Sequence, residues 1–79
     1  MSFNTIAQII RFHRKKAGLS RNDLAMLADV GKTVIFDIEH GKETIQWQSL
    51  MKVLTALNIR FDFKSSFMEA FYQTQSSEV

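Results

Sequence analysis

The 79-residue sequence predicts an all-α domain with one short strand near its end. Three observations carry that reading. Apolar residues recur three and four apart from Ile6 to Leu57, breaks at Gly18, Asp29 to Gly31 and Gly41 cut the pattern into short helices, and from Ile59 to Lys64 the period falls from 3.6 to 2. A chain of this length holds one small domain whose core leaves little stability to spare, so burial against a partner matters.

The first helix is expected over residues 6–17, because Thr5-Ile6-Ala7-Gln8 has capping-box spacing, with Thr5 as cap and Gln8 reaching back. Ile6, Ile9, Ile10, His13 and Ala17 share its inner face, and Arg11 and Lys15 lie opposite in water. His13 reads as a core-edge residue rather than a ligand. Gly18 ends the helix. Ser20 is a good N-cap with Asp23 three residues on, so a second helix starts at Arg21 and stops near Ala28. Leu24, Leu27 and Ala28 form its buried face, and Ala25 is small where another helix crosses. Asp29 tolerates a left-handed backbone, Val30 plugs inward, and Gly31 is a permissive start for the next helix.

In that third helix Ile35 and Ile38 point back to the second, Thr33, Phe36, Asp37 and His40 project away, and Gly41 is the stop. After a loop over residues 43–46, Trp47, Leu50, Leu54 and Leu57 form the core stripe of a fourth helix. Gln46 is a poor cap and Asn58 a reasonable left-handed stop. Trp47 reads as core rather than as a cofactor platform.

Ile59, Phe61 and Phe63 then alternate with Arg60, Asp62 and Lys64, which is a strand pattern. An otherwise helical chain offers a strand no partner. It is therefore expected to pair with another copy across a two-fold axis, with irregular packing on the core as the alternative. Residues 1–64 make the domain and residues 65–79 a tail. Within the tail Phe67, Met68, Phe71 and Tyr72 form a half-turn or short helix, and the polar end is expected to be disordered.

Composition narrows the function. With 46% hydrophobic residues the chain is globular, and no apolar run nears the roughly 18 residues that span a membrane. Met1-Ser2-Phe3-Asn4 shows no export signal, so a cytoplasmic location and no membrane partner are expected. Absence of Cys excludes disulfides and thiolate metal sites, and His13 and His40 are too few for zinc, so no metal or cofactor is expected. Neither a Gly-rich phosphate loop, a Ser/His/Asp set nor paired carboxylates is present, and enzyme activity is not expected. The net charge of +2 is unevenly spread: Arg11, Arg14, Lys15, Lys16, Arg21 and Lys32 face only Asp23 and Asp29. Such a run is either a solvated face or a polyanion site.

The ordered set Ala25, Val30, Ile35 and Ile38, closed by Glu39-His40-Gly41-Lys42, is similar to the helix-turn-helix of the lambda repressor/Cro (XRE) family. Within it the chain most resembles the HipB-like antitoxins. The likeness covers about residues 6–63, and its register holds without a gap. Asp29 stands where the family usually has Gly, and Phe36-Asp37 where small or amide side chains are common.

The resemblance implies a lambda repressor-like helix-turn-helix bundle whose C-terminal strand, through Ile59, Phe61 and Phe63, pairs across a homodimer. It implies a sequence-specific repressor of double-stranded DNA with an inverted-repeat operator, and a HipA-type kinase toxin as a possible second partner. Arg14 and Glu39 match a family ion pair; the alternative is two exposed charges. Lys32, Thr33 and Asp37 match base-reading positions, where Lys donates to guanine, Thr touches thymine or hydrogen-bonds, and an acid accepts from cytosine. Arg21, Lys32 and the amide ends of the second and third helices would hold phosphates, joined by His40 and Lys42 at the helix exit. Phe36 packs either on thymine methyls or a sugar, or sideways on its own core or dimer. Rival readings are a protein-interaction module that uses Phe36 and Asp37 for a protein partner, and a stand-alone repressor without a toxin.

Overall fold

The computed structural model describes residues 3–62 and 64–77, in five helices: α1 (Phe3–Lys16), α2 (Arg21–Ala28), α3 (Lys32–Glu39), α4 (Trp47–Ala56) and α5 (Met68–Ser77). α1 to α4 pack as a bundle in which α3 touches each of the others, while α5 makes no substantial packing with them.

Four helices end in one way. At Gly18 (φ 73°), Asp29 (φ 59°), Gly41 (φ 75°) and Asn58 (φ 59°) the backbone turns left-handed. The next amide then reaches back five residues: Leu19 N–H to the Arg14 carbonyl (3.1 Å), Val30 to Ala25 (3.0 Å), Lys42 to Asp37 (3.0 Å) and Ile59 to Leu54 (2.8 Å). This Schellman closure satisfies carbonyls that the helix end would otherwise leave open, and it holds each connection short. Gly41 is constrained twice, since a Cβ there would also sit 3.3 Å from Asn4 Oδ1. Asp29 bears the strain of a β-carbon in the left-handed region, a cost that is lower for Asp than for most residues.

α2 opens on a full capping box. Asp23 N–H donates to Ser20 Oγ and Ser20 N–H to Asp23 Oδ2, each at 3.0 Å. Hydrogen bonds that the Asp23 carboxylate accepts, first from the Ser20 backbone and then from the Ser20 hydroxyl, hold it below its ordinary pKa. α1, by contrast, begins at Phe3 rather than Ile6, so Thr5 is a helical residue and not a cap. The extra turn carries Phe3 to a cavity of about 290 Å³ that it lines with Ile6, Ile38, Ile45, Trp47, Leu50 and Phe61. Tertiary packing outweighs a modest cap signal here. At the other end Arg14, Lys15 and Lys16 bring positive charge to the negative pole of the helix.

The core is Ile10, Leu24, Ala25, Ala28, Ile35, Ile38, Leu50, Val53 and Leu54, with Ile10, Leu24, Ile35 and Val53 sealed from solvent. Several expected core positions lie outside it. His13 and Ala17 are exposed, because α1 turns the stripe Ala7, Ile10 and Arg14 inward instead. Leu27 is 61% exposed at the lip of a groove between α2 and α4, since α2 turns Leu24, Ala25 and Ala28 inward instead. Trp47 is 56% exposed and meets the Phe61 ring edge-on at 5.1 Å. Val53 takes the central place on α4 that spacing from Trp47 would not give it.

Residues 59–62 form no strand within this chain. Ile59 is half-buried against the core, whereas Phe61 lies over Trp47; Phe63 falls outside the described residues. Strand pairing across a two-fold axis would take a second copy. The tail carries ten helical residues in α5, a helix rather than the half-turn that was the other form expected, with Phe67, Phe71 and Tyr72 exposed. Glu78 and Val79, part of the end expected to be disordered, lie outside the described residues.

Candidate nucleic-acid interface

Glu39, the last residue of α3, anchors the site. Its side chain is wholly buried and takes Arg14 in a fork: Nε donates to Oε2 at 2.6 Å and Nη2 to Oε1 at 3.1 Å. Arg14 Nη1 donates to the Leu19 carbonyl at 2.9 Å, so the guanidinium also ties α1 to the start of α2. A second cation joins from α2, Arg21 Nε donating to Oε1 at 3.2 Å. Burial by itself would raise the Glu39 pKa. The hydrogen bonds and charges of Arg14 and then Arg21 outweigh it and hold the carboxyl below the usual range. Among the described residues no buried side-chain polar atom lacks a partner. The expected Arg14 and Glu39 thus meet, and Arg21, assigned from sequence only to phosphate, shares the same carboxylate.

This ion cluster fixes how α3 stands. Ile35 (0% exposed) and Ile38 (3%) bury one side against the bundle, which turns Lys32, Thr33 and Phe36 outward on the other. Gly31 caps α3 with extended backbone and no side-chain acceptor, so the first-turn amides have no covalently tethered capping group. Asp37 is half-buried and lies 3.5 Å from Lys42 Nζ, a pairing that sequence did not suggest because it closes around the left-handed Gly41. Such a partly exposed pair is worth about 0–1 kcal/mol, so either member is free to be drawn to a stronger partner.

Phe36 does not enter the core. It remains 49% exposed and stacks on His40 with ring centroids 3.8 Å apart and planes 21° from parallel. His40 Nδ1–H donates to the Phe36 carbonyl at 2.7 Å, and the Arg21 guanidinium lies 5.6 Å from the Phe36 ring centroid. The spacing of four between Phe36 and His40 was a readable signal for that stack. Arg21, Lys32, Thr33, Phe36, Asp37, His40 and Lys42 are therefore gathered around the outer side of α3. Of the residues given to a dimer, Ile59 and Phe61 lie along α1 and α4, and Phe61 shares a cavity with Lys42 at the edge of this face.

The model of the Helix-turn-helix family matches residues 10–64, which takes in α2, its turn and α3. The chain belongs to that family, in its Cro/XRE-like branch. The uncharacterized HTH-type transcriptional regulator y4mF of Sinorhizobium fredii (strain NBRC 101917 / NGR234) is 37% identical over 57 residues, covering 72% of this chain and 75% of its own length. Two solved structures share the fold at 17% identity. One, named MDT Protein, has a TM-score of 0.76 and covers 84% of this chain and 93% of its own. The other, a variant HipB in complex with an O2 20mer, has a TM-score of 0.75 and covers 84% and 92%.

This helix-turn-helix protein turns an apolar register of α3 inward and a mixed one outward. The turn residue Asp29 adopts the left-handed backbone that glycine would supply, so the hinge geometry is retained. Phe36 and Asp37, in contrast, put an aromatic ring and a carboxylate on the exposed side of α3. Among the described residues no helix is long and apolar enough to cross a membrane, and no three His, Cys, Asp or Glu side chains are grouped to hold a metal.

Proposed function

We propose that this helix-turn-helix protein is a sequence-specific DNA-binding repressor that acts as a homodimer on an inverted-repeat operator. The observation that carries the reading is the presentation of α3: Ile35 and Ile38 buried on one side, and Lys32, Thr33 and Phe36 offered on the other beside Arg21. A helix held this way by a supporting helix fits the major groove with its N-terminal side chains on base edges. Lys32, Thr33 and Asp37 would read bases; Arg21, His40, Lys42 and the amides of α2 and α3 would hold phosphates.

Replacing Lys32 and Thr33 by Ala is expected to weaken specific binding by about 1–3 kcal/mol for each base interaction removed, whereas Lys42→Ala weakens all duplexes about equally. Footprinting on the promoter upstream of the protein's own gene checks this. An unchanged footprint from the double variant would move the contact surface off α3. Affinity is also expected to fall steeply with salt as counterions are released, a response that an apolar protein contact lacks.

The finer reading is an antitoxin that represses its own operon and restrains a HipA-type kinase toxin. Its support is the tail, where Phe67 (78% exposed), Phe71 (51%) and Tyr72 (52%) stand on or beside a helix that packs little on the domain. Apolar surface of that kind is normally covered. Deleting residues from 66 onward is expected to leave DNA binding intact and abolish co-purification with a kinase encoded beside it. If the deletion instead dissolves the homodimer, the tail closes the dimer. If no kinase is encoded nearby or captured, a stand-alone repressor is what remains.

A further inference from the structure

Phe36 is the departure on the outer face of α3, and its surroundings are ordered. An exposed phenylalanine would ordinarily sample several rotamers. Here the ring stacks on His40 at 3.8 Å, His40 is tethered by its Nδ1–H to the Phe36 carbonyl at 2.7 Å, and Arg21, 5.6 Å from the ring centroid, is itself fixed by Glu39. A connected series of contacts therefore runs from the buried Arg14 and Glu39 pair to a half-exposed aromatic ring. Such a ring meets a ligand at little further cost in ordering.

Its neighbours say what kind of ligand. Thr33 and Lys32 precede Phe36 by three and four residues on the same face, and the Arg21 guanidinium lies by the ring, so what reaches the ring meets cations and comes with a polyanion. On the base edges of a major groove the one apolar group is the C5-methyl of thymine. We infer that Phe36, braced by Arg21 and His40, reads one thymine in each half-site through that methyl group. The inference rests on the DNA-binding reading above and adds the base feature recognised.

The test begins with a duplex selected by the full chain from a random pool, in which each thymine is then replaced singly by deoxyuridine, which lacks only the methyl. Affinity is measured by fluorescence anisotropy. At one symmetry-related position the unsubstituted protein is expected to bind about fourfold more weakly per methyl removed, and about fifteenfold more weakly when both half-sites are changed. Phe36→Ala is expected to bind thymine and uracil duplexes equally. Because the decisive change is in the DNA, the result does not depend on how well the variant folds.

The inference is overturned if no thymine shows the effect while Lys32→Ala and Thr33→Ala still lose affinity, an outcome that leaves the repressor reading standing. It is likewise overturned if the uracil effect persists in Phe36→Ala, which would make the ring only a support for Arg21 and His40. A Phe36→Ala chain that binds DNA as before but loses a protein partner would assign the ring to that protein. Failure to select any duplex would sink the DNA-binding reading itself.

Discussion

Glu39→Ala is expected to leave the isolated domain largely unfolded. The substitution strands Arg14, only 7% exposed, with no counterion for a guanidinium whose fork is built on that carboxylate. Removing one member of a buried pair costs about 3–5 kcal/mol, comparable with the whole stability of a domain of this size. Urea melts of Glu39→Ala and Arg14→Met would show the loss. The double variant Arg14→Met/Glu39→Leu is expected to be less destabilised than Glu39→Ala, because no unpaired charge then remains inside.

The pH dependence follows with its sign. A carboxyl whose pKa is lowered in the folded state adds stability that is fully present above its unfolded pKa, about 4, and is lost as pH falls through the folded value. The unsubstituted chain should therefore lose stability on acidification below about pH 4, and the less destabilised double variant Arg14→Met/Glu39→Leu should show a shallower acid limb, with Asp23 still contributing in both. Equal acid limbs would mean that Glu39 is not the group that matters.

Helix ends were the most legible part of this chain. A left-handed residue is required wherever a helix closes in a Schellman turn, and Gly18, Asp29, Gly41 and Asn58 are residues that tolerate it, so the four stops stand out from composition alone. The Ser20 and Asp23 capping box was readable for the same reason: it is made within four residues. What spacing could not give was the breadth of each buried face. Periodicity picks out one side of a helix, but neighbouring helices decide how far around that side is covered. Thus Leu27 and Trp47 lie outside the core, and Val53, one position from Leu54, lies at its centre.

The site was legible in a different way. Arg14 and Glu39 are 25 residues apart, and no local rule joins them; only their match to a family pattern did. Arg21 was assigned to phosphate from its charge and position, yet it also bonds Glu39, since α2 and the end of α3 converge once the turn is closed. Lys42 and Asp37 meet for an equally local reason, the reversal at Gly41. Phe36 was open to a finer reading from spacing. Its distance of four residues from His40 favours a stack on the solvent side, and that stack removes the alternative in which the ring turns back into its own core.

Phe61→Asp is expected to convert a dimer into a monomer and, with it, to lose most operator affinity. In the single chain Phe3, Trp47 and Phe61 surround an apolar cavity of about 290 Å³ and stand 42%, 56% and 37% exposed. Residues 59–62 run beside it in non-helical backbone, and an exposed segment of that kind is prone to pair with a copy of itself. If residues 59–63 pair across a two-fold axis, the same association would cover the aromatic rim and place the two α3 helices on half-sites about 34–36 Å apart, or a multiple of it. A carboxylate at residue 61 would be buried in that interface without a partner, which opposes association strongly. Loss of the link between half-sites lowers affinity by about 10²–10⁴ while every interaction with a single half-site stays the same. Light scattering gives the mass, and a salt-matched titration of an inverted repeat against a single half-site separates weakened avidity from weakened binding to each half. Phe61→Leu, which keeps an apolar side chain, should remain dimeric. If Phe61→Asp stays dimeric, the interface lies on another face, and the exposed aromatics of α5 become the next surface to change.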